Sequence, residues 1–154
     1  MTTEKLLVSL NAHKVRFVVI GAASFPVHGY ARATLDVDLF LEPREANVKR
    51  ALKALTSFGY DVTELTPQDL LTKKVLIRQY PLETDLHPFV AGVSFPEVWK
   101  HRVRGRIGAQ SAWFAGLEDL IKMKRAARRA KDLEDLRVLL KLWKRKVGNG
   151  ETPR

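Results

Sequence analysis

Two aspartates within one short segment are the residues of this sequence best suited to chemistry. Residues 35–41 alternate between apolar and other side chains, which predicts a strand with Asp36 and Asp38 on the same face. Their side chains would then lie roughly 7 Å apart along the strand. Carboxylates this close repel each other, and a hard divalent cation with oxygen ligands relieves the repulsion. A surface strand with two solvated acids has the same spacing, so the pair alone does not distinguish a metal site from an ordinary exposed strand.

A third carboxylate lies in a second segment with strand character. Residues 82–87 predict a strand that carries Asp85, and a neighbouring position in the sheet would bring this acid to the other two. Three carboxylates from two strands can hold two magnesium ions, the arrangement that stabilises attacking and leaving oxygens in phosphoryl transfer. His87 would point to the same side as Asp85, either supporting the site or standing apart from it.

The segment after the first predicted strand has features of a phosphate site. Residues 15–20 are rich in β-branched side chains and stop at Gly21, and residues 21–28 predict a short helix with Pro26 in its first turn. Free backbone N–H groups and the dipole at such a helix start favour an anion. Four residues before Asp36, an arginine could meet that anion. The candidate nucleotide-binding residues here are Gly21, Ala22, Ser24 and Arg32.

Other polar and aromatic residues have simpler expected roles. We expect His28 to pack in the interior with a hydrogen bond to backbone. Asp132 and Asp135 are expected to form structural ion pairs with Lys124 or Arg129 rather than to bind metal. The three tryptophans are expected in the core or at an interface rather than stacked on bases: Trp99, Trp113 and Trp143.

Helices and strands alternate along the chain. The periodicities predict helices near the N-terminus and over 44–58, 95–102, 117–129 and 133–146, and a helical turn from Pro67. They predict a short edge strand over 60–64 and a further strand over 75–80, which ends in a turn at Pro81. The stretch around Gly105 and Gly108 is predicted to be irregular or strand-like. The fold class is therefore α/β (α+β) with a central sheet. One domain is expected over 1–147, followed by a flexible tail over 148–154.

Composition narrows the class of protein. The 154 residues include no cysteine, which excludes disulfides, thiolate chemistry and cysteine-ligated zinc. The first residues lack the pattern of a secretory signal, and no apolar run reaches bilayer length, so we expect a cytoplasmic protein.

The net charge of +10 is unevenly distributed. Residues 1–99 hold 11 basic and 11 acidic residues, whereas residues 100–154 hold 16 and 6. This excess of positive charge indicates a polyanionic partner. The basic residues near the end of the last helix have a simpler explanation, because they solvate that helix and favour its negative C-terminal end. For residues 122–131, contact with phosphate or nucleic acid is an equal alternative.

The run from Ile20 to Leu39 combines a glycine turn, His-Gly and Arg-x-Thr-x-Asp-x-Asp. It resembles the nucleotidyltransferase superfamily of the polymerase-beta type, in particular minimal transferases related to abortive-infection and toxin–antitoxin systems. Residues 119–124 and 129–136 are similar to the C-terminal helices of that group, so the resemblance touches both ends of the chain.

This resemblance implies a nucleotidyltransferase fold, with a mixed sheet flanked by helices and C-terminal helices. It implies that Asp36 and Asp38 bind two Mg²⁺ ions, that Asp85 completes one site and serves as general base, and that Lys124 faces the triphosphate. Ala22 departs from the family's usual Gly-Gly or Gly-Ser turn, and its methyl group could limit the approach of a phosphate.

The leading hypothesis is a magnesium-dependent nucleotidyltransferase that moves a nucleoside monophosphate from a nucleoside triphosphate to an RNA, protein or small-molecule acceptor. The alternative is a catalytically weak or inactive member of the fold that serves as a basic RNA- or protein-binding module, within a toxin–antitoxin pair. A third class, an antitoxin-like structural partner, predicts that the protein co-purifies with a second chain.

Overall fold

Six strands and seven helices follow one another in the computed structural model, which describes residues 1–34 and 36–150. In chain order they are α1 (Thr3–Ala12), β1 (Phe17–Ile20), a 3-10 helix (Gly21–His28), β2 (Asp36–Leu41), α2 (Glu45–Phe58), α3 (Pro67–Thr72), β3 (Val75–Gln79), β4 (Leu82–His87), α4 (Phe95–Lys100), β5 (Val103–Ile107), β6 (Gln110–Phe114), α5 (Leu117–Ala127) and α6 (Ala130–Gly148). Leu35, predicted as the first residue of its strand, lies outside the described residues.

The strands form one mixed sheet in the order β3-β4-β2-β1-β6-β5. The pairs β3–β4, β1–β2 and β5–β6 are antiparallel, whereas β2–β4 and β1–β6 are parallel. The prediction of a mixed central sheet flanked by helices, with helices at the C-terminal end, is confirmed. Strands β2 and β4 are direct neighbours, and this pairing positions the acids discussed below.

Helices pack on both sides of the sheet, and β2 shows how its residues are divided between them. Val37 and Leu39 of β2 belong to the core under α1 and α2, while Phe40 belongs to a second core with residues of α4, α5 and α6. Because side chains alternate along a strand, Asp36 and Asp38 open onto the side of this second helical layer. The predicted alternation of this strand is confirmed from Asp36 onward.

The predicted edge strand over 60–64 is wrong, since this segment forms no strand. Tyr60 is buried instead, and its hydroxyl donates to the Leu82 carbonyl over 2.7 Å. The side-chain amide of Gln79 accepts from the Asp61 N–H at 2.9 Å and donates to the Asp61 carbonyl at 2.8 Å. Side-chain bonds therefore satisfy the backbone of Asp61, and β3 is the edge strand at this end of the sheet.

Two other local predictions need adjustment. Pro26 is the sixth residue of its helix rather than part of the first turn. A 3-10 helix accepts it because proline's fixed φ suits that geometry. The stretch around Gly105 is a regular hairpin of β5 and β6. A Cβ on Gly105 would lie 2.7 Å from Val27 and 2.8 Å from Phe114, so only glycine lets the strand lie this close.

The two C-terminal helices differ from the prediction in opposite directions: α5 ends at Ala127, two residues early, whereas α6 is longer than the periodicity predicts. Arg128 adopts a left-handed conformation between α5 and α6, and α6 then runs to Gly148, the first residue of the predicted tail. Residues 151–154 of that tail lie outside the described part of the chain. Among the helices of residues 1–34 and 36–150, none has both the length and the hydrophobicity that crossing a bilayer requires.

Candidate active site

Register between β2 and β4 brings the predicted acids together. Asp38 pairs with Asp85 across the two parallel strands, and Asp36 pairs with Glu83. Paired residues point to the same face of a sheet, so the Asp85 carboxylate joins that of Asp38. One ligand atom each from Asp38, Asp85 and His87 lies within 4.8 Å of the others. The sheet therefore collects two carboxylates and one imidazole at a single point.

Asp36 faces the same cleft but lies outside that group of three. It is the first residue of β2, and the Thr34 hydroxyl fixes its backbone by donating to the Asp36 carbonyl over 3.1 Å and accepting from its N–H over 3.2 Å. The structure thus places all three predicted acids on one wall of one cleft. Asp38 and Asp85 are adjacent there, and Asp36 stands beside them.

This cleft has a volume of about 410 Å³. Its walls come from the sheet, the start of the 3-10 helix and the facing sides of α5 and α6. The lining residues are Ile20, Gly21, Ala22, Arg32, Thr34, Asp36, Asp38, Lys74, Arg78, Asp85, His87, Val90, Leu120, Met123, Lys124, Ala127, Arg129, Lys131, Asp132 and Asp135. Seven of the eight predicted site residues are among them.

Ser24 is the predicted site residue that the cleft does not include. Its side chain is fully buried, and its hydroxyl donates to the Gly21 carbonyl over 2.6 Å. Ser24 therefore stabilises the turn from inside. Gly21 and Ala22 face the cleft at the start of the 3-10 helix, where N–H groups of a first turn have no helical acceptors.

The glycine turn and the metal-binding candidate Asp38 are in direct contact. Gly21 has a φ of +67°, and a Cβ at this position would lie 2.5 Å from Asp38 Oδ2. We expect Gly21→Ala to lower the free energy of unfolding by about 1–2 kcal/mol through backbone strain. It should also lower nucleotidyl transfer at least tenfold, because the Asp38 carboxylate must move. Thermal unfolding and an assay with labelled nucleotide measure the two effects.

Ala22→Gly is the matched control for this substitution. It changes the next residue of the same turn without adding an atom, so we expect a loss of no more than about 1 kcal/mol and undiminished transfer. Equal transfer by Gly21→Ala and the unchanged protein would show that the position of Asp38 does not depend on this glycine.

The cations predicted to face a triphosphate are held by two buried aspartates of α6. Lys124 Nζ lies 3.0 Å from Asp132 Oδ1 and 3.1 Å from Asp135 Oδ2. Arg32 pairs with Asp135, and Arg129 Nε lies 2.7 Å from Asp132 Oδ2. The predicted structural ion pairs are thus confirmed. Burial alone would raise the pKa of Asp132, but hydrogen bonds from Arg129 and Lys124 outweigh it and hold that pKa well below its ordinary value.

Sequence reasoning missed two cations, one directly before β3 and one within it. Arg78 Nη1 lies 2.5 Å from Asp85 Oδ1, and Lys74 Nζ lies 4.0 Å from Asp85 Oδ2. The hydrogen bond with Asp85 raises the pKa of Arg78. Alternation over residues 75–79 was the available signal, because it places Arg78 on the face opposite the buried Val75 and Ile77. Only the pairing of β3 with β4 shows that this face is the one with the acids.

Two histidines, His87 and His28, differ in their surroundings. His87 Nε2 lies 2.9 Å from Asp38 Oδ1, so this residue contacts the acid group. His28 is buried, and its Nε2 lies 2.8 Å from the Ala115 carbonyl, as expected for an interior histidine. Burial lowers the pKa of His28. Among the described residues that line the cleft, His87 is the one histidine, so it is the histidine placed to affect the chemistry there.

Two of the tryptophans pack together away from the acids. The Trp99 and Trp113 rings meet edge to face with centroids 6.4 Å apart, and the Arg102 guanidinium lies 3.9 Å from the Trp99 centroid and 4.4 Å from that of Trp113. Trp143 packs against the core under α5 and α6. These contacts confirm a packing role for all three.

The ligand atoms at the acid group suit a divalent cation. Carboxylate oxygens are the ligands that magnesium and manganese prefer, and an imidazole nitrogen is acceptable to manganese. The group lies in an open cleft, which leaves room for further ligands from a substrate or water. Asp38 and Asp85 would supply the first ligands, and Asp36, which lines the same cleft, is the remaining predicted acid for a second ion.

Comparison with known proteins agrees with this geometry. A family model described as "Nucleotidyltransferase of unknown function (DUF6036)" matches residues 1–140. No curated protein gives a significant match to the chain. The matched range contains the glycine turn, the three acids, Lys124 and the two aspartates of α6. Because the match covers most of its length, the chain belongs to this family of nucleotidyltransferases.

Proposed function

We propose that this protein is a magnesium-dependent nucleotidyltransferase that moves a nucleoside monophosphate from a nucleoside triphosphate to a hydroxyl acceptor. One observation carries the proposal: Asp38 and Asp85 are in register on neighbouring strands, beside a helix start made by the Gly21 turn. Carboxylates for cations and N–H groups for phosphates thus meet in one cleft. The same cleft contains Lys124, Arg32 and Arg129 as positive charges.

Each wall of the cleft has a distinct part in the proposed reaction. The N–H groups at the start of the 3-10 helix would hold the terminal phosphates, with Lys124 and Arg32 offsetting their charge. Asp85 would accept the proton of the acceptor hydroxyl, whose oxygen attacks the α-phosphorus while pyrophosphate leaves. Magnesium, when bound to Asp36, Asp38 and Asp85, would neutralise the charge that develops on the transferred group.

Asp132 and Asp135 add a requirement to this proposal. They hold Lys124, Arg32 and Arg129 in place before any substrate enters, so the cations have fixed positions but also existing partners. Incoming phosphates must then share these cations with the two aspartates. Preorganised charge of this kind costs little rearrangement when the transition state forms.

The proposal is tested by removing one charge from the first acid. We expect Asp36→Asn to lower the labelling of an acceptor in a cell extract by on the order of 100-fold, because one carboxylate ligand is lost. The label is carried on the α-phosphate of each nucleoside triphosphate in turn. Asp61→Asn is the matched control, since Asp61 is exposed and is not among the residues that line the cleft. Full labelling by Asp36→Asn would reject the mechanism.

Calorimetry separates an enzyme from a binding-only member of the fold. A nucleotidyltransferase should bind at least one nucleoside triphosphate with an affinity that depends on magnesium. A basic module that binds RNA or a partner protein, as in a toxin–antitoxin pair, should show no such dependence. Ala22 in the glycine turn is the residue that favours this second function.

A further inference from the structure

The sheet is uncovered on the cleft side beyond Asp85. Val75 and Ile77 of β3 are buried in the core under α1 and α2, whereas Leu76 between them is 51% exposed. Of the described residues, none from β3 or β4 belongs to the core that α4, α5 and α6 form. Lys74 and Arg78 have side chains that are 49% and 43% exposed. These three outward residues, Lys74, Leu76 and Arg78, form what we call the β3 face.

The order of the strands places the glycine turn and the β3 face at opposite ends of the cleft. The Gly21 turn follows β1 on one side of Asp38, while Asp85 on β4 and then the β3 face lie on the other. In an in-line displacement, the attacking oxygen enters opposite the leaving group. If the terminal phosphates rest at the Gly21 turn, the acceptor hydroxyl must approach from the side of Asp85. The β3 face is the surface that borders this approach.

We propose that the β3 face is the acceptor subsite and that it binds a nucleotide unit carrying a free hydroxyl. Lys74 and Arg78 would contact its phosphate, and Leu76 would pack against its base or sugar. The acceptor oxygen forms a bond to the α-phosphorus, the bond to pyrophosphate breaks, and the hydroxyl proton passes to Asp85. This inference rests on the proposed function and names the acceptor class for the same cleft.

Arg78 has the geometry to exchange partners during binding. Its guanidinium contacts Asp85 at 2.5 Å and Glu83 at 3.5 Å. Once a cation engages Asp85, Arg78 loses its closer partner, and the planar guanidinium can bind two oxygens of a phosphate. Leu76 pairs in register with Asp85, so an apolar surface lies directly beside the general base. A polycationic acceptor would instead be repelled by the positive charges of Lys74 and Arg78.

Equilibrium binding tests the subsite without turnover. The probe is a pentaribonucleotide with a 5′-fluorescein label and a free 3′-hydroxyl, added to the full chain without nucleoside triphosphate and followed by fluorescence anisotropy. We expect Arg78→Gln and Lys74→Gln each to weaken binding several-fold. Each should also lower the slope of log affinity against log salt by about 0.7, the contribution of one single-strand phosphate. Arg78→Lys keeps the charge but loses the planar guanidinium, so it should keep the salt slope of the unchanged protein and bind more tightly than Arg78→Gln but more weakly than the unchanged protein.

Lys53→Gln is the control for loss of a positive charge. Lys53 is exposed on α2, which packs on the opposite side of the sheet, so affinity and salt slope should stay unchanged. Competition with adenosine monophosphate identifies the source of the nucleotide unit. If adenosine monophosphate displaces the oligonucleotide at a concentration similar to the Kd of the oligonucleotide, a mononucleotide is enough to fill the subsite. If it displaces the oligonucleotide only weakly, the subsite binds the end of a polynucleotide. In both cases the dependence on Arg78 must hold.

Asp85→Asn tests the exchange of partners directly. With Asp85 neutral, Arg78 loses the closer of its two carboxylate partners and is more available to the phosphate, so we expect oligonucleotide affinity to rise several-fold. Asp36→Asn removes the same charge from the same cleft, but Asp36 acts on Arg78 only beyond ion-pair distance and is the last among the causes that raise its pKa, so its effect should be smaller. Equal increases in the two variants would show that general repulsion, and not Arg78, controls binding.

The inference is overturned if Arg78→Gln and Lys74→Gln bind the oligonucleotide as well as the unchanged protein does. Circular dichroism of both variants excludes unfolding as the cause of any loss. Failure of the proposed function has a different signature, because calorimetry would then show no magnesium-dependent affinity for nucleoside triphosphates. Triphosphate binding together with indifference to Arg78 would reject the acceptor subsite alone.

Discussion

Replacing Asp38 with asparagine is expected to lower kcat/KM for nucleotidyl transfer by on the order of 1,000-fold, the equivalent of several kcal/mol of lost charge stabilisation. Asp38 contacts the other members of the acid group and the glycine turn. It pairs with Asp85 in the sheet, its Oδ1 lies 2.9 Å from His87 Nε2, and its carboxylate rests against the Gly21 turn. The loss should exceed that of Asp36→Asn, because Asp36 lies outside this group.

Initial rates with labelled nucleoside triphosphate measure the effect, and calorimetry of magnesium binding shows its cause. Glu42→Gln is the matched control. Glu42 follows β2 directly and pairs with Arg16 over 3.1 Å at the other end of the strand, so its loss should leave kcat/KM within about threefold. Retention of more than a tenth of the activity by Asp38→Asn would contradict a role for this carboxylate in metal binding.

The sequence was sufficient to place Asp36 and Asp38 because their geometry is local. A period of two over six residues sets the direction of both side chains whatever the strand's neighbours are. Gly21 was equally accessible, since a glycine after a buried strand predicts a tight turn. Its contact with Asp38, however, depends on β1 and β2 pairing with Ile20 opposite Asp38.

Asp85 shows where sequence reasoning reaches its limit. Strand character around this residue was predictable, but a shift of one residue in the pairing of β2 with β4 would have turned its carboxylate to the other face. The register of Asp38 with Asp85 is set by burial of Leu39 and Leu86, which pair with each other one residue further on. Such pairing between strands distant in sequence is a property of the whole core.

The partners of the basic side chains in the cleft were even less predictable from the sequence. Lys124 was expected to face a triphosphate, and the structure places it in the cleft but between Asp132 and Asp135. Arg78 was not singled out, because an alternating edge strand with one arginine resembles any solvated edge. Long flexible side chains reach partners that sequence spacing does not reveal, so their pairing required coordinates.

Asp132→Asn is expected to lower the free energy of unfolding at pH 7 by on the order of 3 kcal/mol. Asp132 is fully buried and contacts Lys124 and Arg129, whose charges would lose their partner in the variant. For a chain of this size the loss corresponds to a fall in Tm of roughly 6–12 °C. Glu134→Gln is the control two residues away. Its pair with Arg137 is exposed on both sides, so its removal should leave the Tm nearly unchanged.

The pH dependence of Tm then distinguishes a lost ion pair from a simple packing defect. The pKa of Asp132 in the folded protein lies well below its ordinary value of 3.8, so the folded state binds its proton more weakly than the unfolded state does. The stabilisation is therefore complete above about pH 5 and declines as the pH falls through 3.8 and below. The difference in Tm between the unchanged protein and Asp132→Asn should shrink over that range. A difference that stays constant from pH 7 to pH 3 would mean that the ionised carboxylate of Asp132 does not stabilise the fold, and that Lys124 and Arg129 do not depend on it for their positions.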